Sequence, residues 1–283
     1  MATYYISPSG NDTTGNGTSG NPWQTIAKAI TASASGDTIN LAAGTYTWPT
    51  ATQNIPGRTF IGQGIDKTVV DGAAASIAGF VMSGTVTFQQ IRFTNAVKTS
   101  TGNTAFFYVQ VNGTHVFTFS NCQFDSLTWN SANAGGIIQV VYNVTGSVTL
   151  NVSNCLFAYC KSSGLNQDGH IWAANGSVST VNVTNCTFVT NRSGSQNVAI
   201  IGGLGSGTLW VLKNNICYDV SGTNPQFVSA SSPSYTGSNA NVIYGYSSVP
   251  TLTGTIASDP LMVDPLNNLF QLRPGSPAMD AGV

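Results

Sequence analysis

Between residues 86 and 217 the chain repeats one arrangement of apolar and polar positions. Val86/Phe88, Phe117/Phe119, Leu150/Val152, Val181/Val183 and Trp210/Leu212 are apolar pairs separated by one residue, with mainly polar residues around them. A period of two places one face of a short strand against a core. Two positions after each pair stands an amide: Gln90, Asn121, Asn154, Asn185 and Asn214. One position further come Ile91, Cys122, Cys155, Cys186 and Asn215, and two beyond those Phe93, Phe124, Phe157, Phe188 and Cys217. Because the inward phase restarts at once past the amide, the pattern predicts a sharp bend there and a second strand after it.

A third strand is predicted upstream of each bend, in "FFYVQVNG" (106–113), "IIQVVYN" (137–143), "HIWAANG" (170–176) and "AIIGGLG" (199–205). The amides recur at intervals of 31, 33, 31 and 29 residues, a period that signals stacked supersecondary units. Three strands per turn, stacked ~4.8 Å apart, make three parallel sheets around one core. The predicted fold class is therefore all-β, a parallel β-helix. Asn121, Asn154, Asn185 and Asn214 read as a structural ladder, each side-chain amide bonding its neighbour on the next coil. Cys122, Cys155 and Cys186 read as a buried column of free thiols in the corner just inside, their parallel Cβ vectors being unsuited to the disulfide torsion.

Solenoid ends need covering, since terminal coils expose core and strand edge. In "NPWQTIAKAITASASGD" Trp23, Ile26, Ala27 and Ile30 fall at helical spacing, with Pro22 at the start and Gly36 at the end, which predicts a short amphipathic helix over the first coil. "DTINLAAGTY" and "RTFIGQG…TVVDG" read as the first coils. The expected organisation is one domain over 1–283, with an amino-terminal cap region at 1–36, coils at 37–245 and a carboxy-terminal capping segment at 246–283.

Composition narrows the function classes. Only 7% of the 283 residues are charged while 41% are hydrophobic, so the chain folds instead of remaining disordered, and its surface is solvated by hydroxyls and amides. Nine basic and ten acidic residues without a cluster leave no electrostatic footprint for nucleic acid or an anionic membrane. No apolar run reaches the ~20 residues of a membrane span, and "MATYYISPSG" does not read as a Sec-type signal. Five cysteines at spacings that match no zinc or redox motif argue against a disulfide scaffold.

Two longer stretches, "YYISPSGNDTTGNGTSGNPWQTIAKAI…GDTINLAAGTYTW" and "NVIYGY…ASDPLMVDPLNNLFQLRPGSPAMDAG", resemble the opening and closing signatures of extracellular right-handed parallel β-helix proteins of the pectin-lyase-like superfamily. The resemblance spans nearly the whole chain. It implies a right-handed helix and an extracellular, cell-surface or virion location. Activity does not follow, because one fold hosts many functions. Lyases of the superfamily use Lys or Arg as base and Ca²⁺ held by several acids, and its hydrolases use clustered aspartates. The hydrolase patterns are absent from this sequence, "QDGHIW" at 167–172 being only a faint echo.

The resemblance also implies a groove beside the variable connections 94–104, 125–136, 158–169 and 189–197. Lys98, Asp125, Trp129, Tyr159, Lys161, Asp168, His170, Trp172 and Arg192 gather there. Lys161, Asp168, His170 and Arg192 are the catalytic candidates for β-elimination, with Lys161 or Arg192 as base, His170 titrating near neutral pH and Asp168 a lone metal ligand. Ca²⁺ belongs only to that alternative, and one acid falls short of its 6–8 oxygen ligands; no other cofactor or metal is expected. As a glycan-binding set, Trp129 and Tyr159 supply sugar-stacking rings, with Asp168, His170 and Arg192 beside them. The expectation is a structural or glycan-binding role without catalysis, the alternative a polysaccharide lyase acting on a uronate-containing glycan. Expected partners are a polysaccharide or cell-surface glycan, and homo-oligomer, filament or virion neighbours.

Overall fold

A computed structural model of the protein describes residues 1–99, 105–130, 136–140, 146–162, 169–173, 178–190, 199–203, 208–222, 226–230 and 234–279. Among the described residues three parallel sheets of eight, seven and nine strands enclose one core. The first sheet holds Val86–Gln89, His115–Ser120, Ser147–Ser153, Val178–Thr184 and Thr208–Lys213; the second Phe80–Met82, Phe107–Val109, Gly136–Val140, Gly169–Ala173 and Ala199–Gly203; the third Arg92–Thr99, Gln123–Asn130, Leu156–Ala158, Thr187–Thr190 and Ile216–Asp219. The chain visits first, third and second sheet in each coil, so every strand pairs in parallel with its counterpart one coil away. The fold is the three-sheet parallel solenoid that the periodicity predicts.

Register places like residues above like. Phe93, Phe124, Phe157 and Phe188 pair in succession across the third sheet. Their rings stack at centroid distances of 5.6, 4.8 and 4.6 Å, an arrangement that adds about 0.5–1.5 kcal/mol per pair beyond area burial. Phe60, Phe88 and Phe119 form a second stack, at 4.9 and 5.4 Å.

The bends stand where the amides predict them. Gln90, Asn121, Asn154, Asn185 and Asn214 all have φ between 53° and 59°, the left-handed region that Asn tolerates better than most residues. Asn121, Asn154 and Asn185 are exposed, and their peptide N–H groups bond across coils to Ser153, Thr184 and Lys213 carbonyls. It is the backbone conformation that asks for asparagine here. The thiols inside these bends are all free and buried, and Cys122, Cys155 and Cys186 donate to the carbonyls of Phe88, Phe119 and Val152 one coil back, each at 3.5 Å. On the next two coils Asn215 and Asn241 take over this corner, and a side-chain hydrogen bond runs between them.

Helix α1 (Ile26–Ala32) is capped by Thr25, whose hydroxyl accepts from Lys28 N. It buries Ile26, Ala29 and Ile30. Trp23 lies before the helix and Ala27 is only half-buried, so the apolar face is narrower than its sequence spacing suggests, and Thr25 rather than Pro22 starts it. At the other end, Ser247, Thr253 and Ile256 still bridge onto the last coil. The hairpin Met262–Asp264/Leu269–Leu272 follows.

Candidate functional site

The strands of the third sheet run further than the expected loop boundaries. Asn95, Ser126 and Tyr159 form a second column of left-handed bends, with φ of 52°, 54° and 54°, after which Ala96, Leu127 and Cys160 return to the core. Lys98 and Trp129 are paired on this extension. Trp129 is wholly buried, which removes it as an exposed stacking platform: its position has the inward phase. Lys98 is also buried, its Nζ reaching toward Gly79, and desolvation pushes its pKa down.

His170 changes role in the same way. It lies one position before Ile171, which pairs with Ile138, so it stands over the core positions of Ile137 and Phe106. Its ring is fully buried, edge-on to Phe157, Phe188 and Trp129 at 6.0–6.2 Å. An imidazole in that setting packs with the core and meets no solvent-borne substrate. Trp172 is on the outer face of the second sheet, in the row Tyr108–Gln139–Trp172, and this row is buried as well. The residue pairing with Trp172 on the next coil is Gly202, where an added Cβ would come within 1.9 Å of the indole.

Asp125 is fully engaged. Both its oxygens are held by Arg92 at 2.8 Å, and Thr94 Oγ1 and Gln123 Nε2 donate to it at 2.7 and 3.1 Å. Lys161 is exposed, on a two-residue strand beside Thr128. Asp168 and Arg192 lie outside the described residues. Of the proposed catalytic set the described structure thus supplies one surface lysine and one core histidine, which face different environments. Among the described residues no group of three or more His, Cys, Asp or Glu is placed to hold a metal ion.

Tyr159 leads to a different surface. Its ring packs on Phe270 of the carboxy-terminal hairpin, centroids 6.0 Å apart, so the hairpin lies alongside the third sheet. Between Phe270 and the bend column runs a groove of about 570 Å³, with Gln90, Asn121, Asn154 and Asn185 in its lining and Gln63, Gly64 and Ile65 at one end. Leu156 and Thr187, paired on the sheet's outer face, add to the lining. A second hollow, of about 860 Å³ and lined by Tyr5, Ser7, Asn40 and Lys67, shares Gln63 with it. Gly62 keeps the coil thin at this junction, because a Cβ there would meet the Gln90 carbonyl at 2.2 Å. Sequence reasoning missed the groove, since Phe270 comes to it from over eighty residues away; the visible signal was the column of amides at one bend.

Residues 8–56 match the family model described as "Protein of unknown function (DUF1565)". A search of curated proteins finds no match. Among solved structures, pectate lyase Pel9A aligns at 16% identity and TM-score 0.39, covering all of this chain and 92% of its own. A rhamnogalacturonan lyase aligns at 14% and 0.35, over 86% of this chain and 68% of its own. ORF18 of Geobacillus virus E2 aligns at 15% and 0.33, over 76% and 45%. No helix among the described residues is long and apolar enough to cross a membrane. The pairing of its strands makes the chain a parallel β-helix protein, as its end signatures suggested, with the DUF1565 match running from the amino-terminal region through α1 into the first coils.

Proposed function

We propose that this β-helix is displayed outside cells or on a virion, where it has a structural or glycan-binding role and performs no catalysis. The observation that carries the reading is the amide-lined groove beside Phe270. Polar side chains that hydrogen-bond hydroxyls, next to a half-exposed ring that stacks on a sugar face, are what glycan recognition requires. The environments of His170 and Asp125, one sealed in aromatic core and the other saturated by Arg92, Thr94 and Gln123, favour this over the lyase alternative.

The test pairs turnover with binding. Incubation with polygalacturonate or alginate plus Ca²⁺ is expected to give no rise in the ultraviolet absorbance of unsaturated chain ends, while affinity electrophoresis through polysaccharide gels retards the protein. Ultraviolet-absorbing product that Lys161→Ala or Arg192→Ala abolishes would replace this reading with the lyase.

A further inference from the structure

We infer that the groove takes an uncharged polysaccharide, lying parallel to the solenoid axis and contacted by one amide per coil. This rests on the glycan-binding reading and names its site and ligand class. Among the described residues the lining contains no carboxylate, ammonium or guanidinium group, and its ionisable members are Cys122 and Cys155, both buried, with burial pushing their pKa values up. A uronate chain placed there would be desolvated without a cationic partner, which is costly. A neutral chain loses only hydroxyl hydration, and the amides replace it.

The geometry sets the direction. Gln90, Asn121, Asn154 and Asn185 are equivalent positions on four successive coils, so their amides repeat at the coil spacing of ~4.8 Å and the row spans roughly 14 Å. Side chains of Asn121, Asn154 and Asn185 point to solvent from bends whose peptide N–H groups are already bonded between coils. That leaves amide side chains, not strand edge, to recognise a ligand, and so disfavours an extended peptide, which pairs with free backbone. Phe270 and Leu156, each half-buried, form an apolar strip beside the amides, suited to the C–H face of a pyranose.

The experiment uses the whole chain in gels containing xylan, glucomannan or amylose, with polygalacturonate as the charged comparison, followed by calorimetry with neutral oligosaccharides of increasing length. Retardation by at least one neutral polysaccharide and none by polygalacturonate is expected, with affinity rising over the first three or four sugar units. The triple variant Asn121→Gly/Asn154→Gly/Asn185→Gly keeps a backbone that adopts positive φ and removes only the amides. It should bind at least tenfold more weakly with native-like circular dichroism, and Phe270→Ala should weaken binding on its own. Neutral binding that both variants leave unchanged would overturn this site while leaving glycan binding standing. Retardation by polygalacturonate alone would overturn the ligand class, and no retardation by any glycan would remove the glycan-binding reading with it.

Discussion

Nδ2 of Asn215 donates to Oδ1 of Asn241 on the next coil across 2.9 Å, with both side chains buried. Asn241 Oδ1 also accepts from Asn215 N at 3.1 Å, and its Nδ2 donates to Leu212 O at 2.9 Å. Asn215 meanwhile accepts from Cys186 N at 2.9 Å and donates to Val183 O at 2.8 Å. Asn241→Ala therefore strips Asn215 of an acceptor for both its peptide and its side chain. Leaving buried donors unpaired costs about 1–3 kcal/mol, so the urea midpoint should fall with an unchanged slope. A midpoint equal to wild type would mean that water replaces the amide in this corner.

The sequence pattern located this corner, and the side-chain bond between Asn215 and Asn241 lies one position inside it. Alternation and period are backbone properties written at every coil, so three sheets, the Phe stack and the bends were all legible. The facing of an amide at a bend is not, because Asn is favoured there both for accepting positive φ and for bonding across coils. Trp129 was misplaced for a related reason. A second bend at Ser126 shifts the inward phase, and nothing as repetitive as Asn-Cys-x-Phe marks it. The groove depended on Phe270, whose contact with Tyr159 is tertiary.

Asn154 separates the two explanations of the bend. Replacement by Gly retains easy access to φ near 53° and should move stability by no more than about 1 kcal/mol, the unfolded chain's added freedom opposing the relief of strain. Asn154→Leu forces a branched side chain into the left-handed region and should cost about 1–2 kcal/mol. Equal losses in the two variants, measured by chemical denaturation, would show that the amide itself stabilises the coil stack.

Burial raises the pKa of the thiols of Cys122, Cys155, Cys160 and Cys217 in the folded protein. In the unfolded chain a thiol titrates near 8.5, so above that pH the unfolded state releases protons that the folded state keeps. Stability is then full below about pH 8.5 and declines as the pH rises past it. Unfolding midpoints taken between about pH 7 and 9, where tyrosines titrating near 10 contribute little, should fall, and the slope should flatten in a Cys122→Ala/Cys155→Ala variant. Titration of unfolded, non-reduced protein should count five thiols, matching the five cysteines; fewer would reveal disulfides.

Arg58 ties α1 to the coil beneath it. Its Nε donates to Ser33 Oγ at 2.7 Å and its Nη2 to the carbonyls of Ile30 and Ser33 at 3.0 and 2.5 Å, satisfying the carboxy-terminal end of a seven-residue helix too short to persist alone. Asp37 adds a second tie, accepting from Ala2 and Ala34 peptide nitrogens. Arg58→Met keeps most of the apolar stem and deletes the donors. Because each coil of a solenoid contacts only its neighbours, the damage should stay local. Hydrogen exchange at the Ala29 and Ser33 amides, which close the helix onto Thr25 and Ala29 carbonyls, should accelerate at least tenfold. The amides of Phe117 and Phe119, three coils away, should exchange as in wild type. Equal acceleration at both places would show instead that α1 and the central coils open as one cooperative unit, and that Arg58 contributes to the stability of the whole stack.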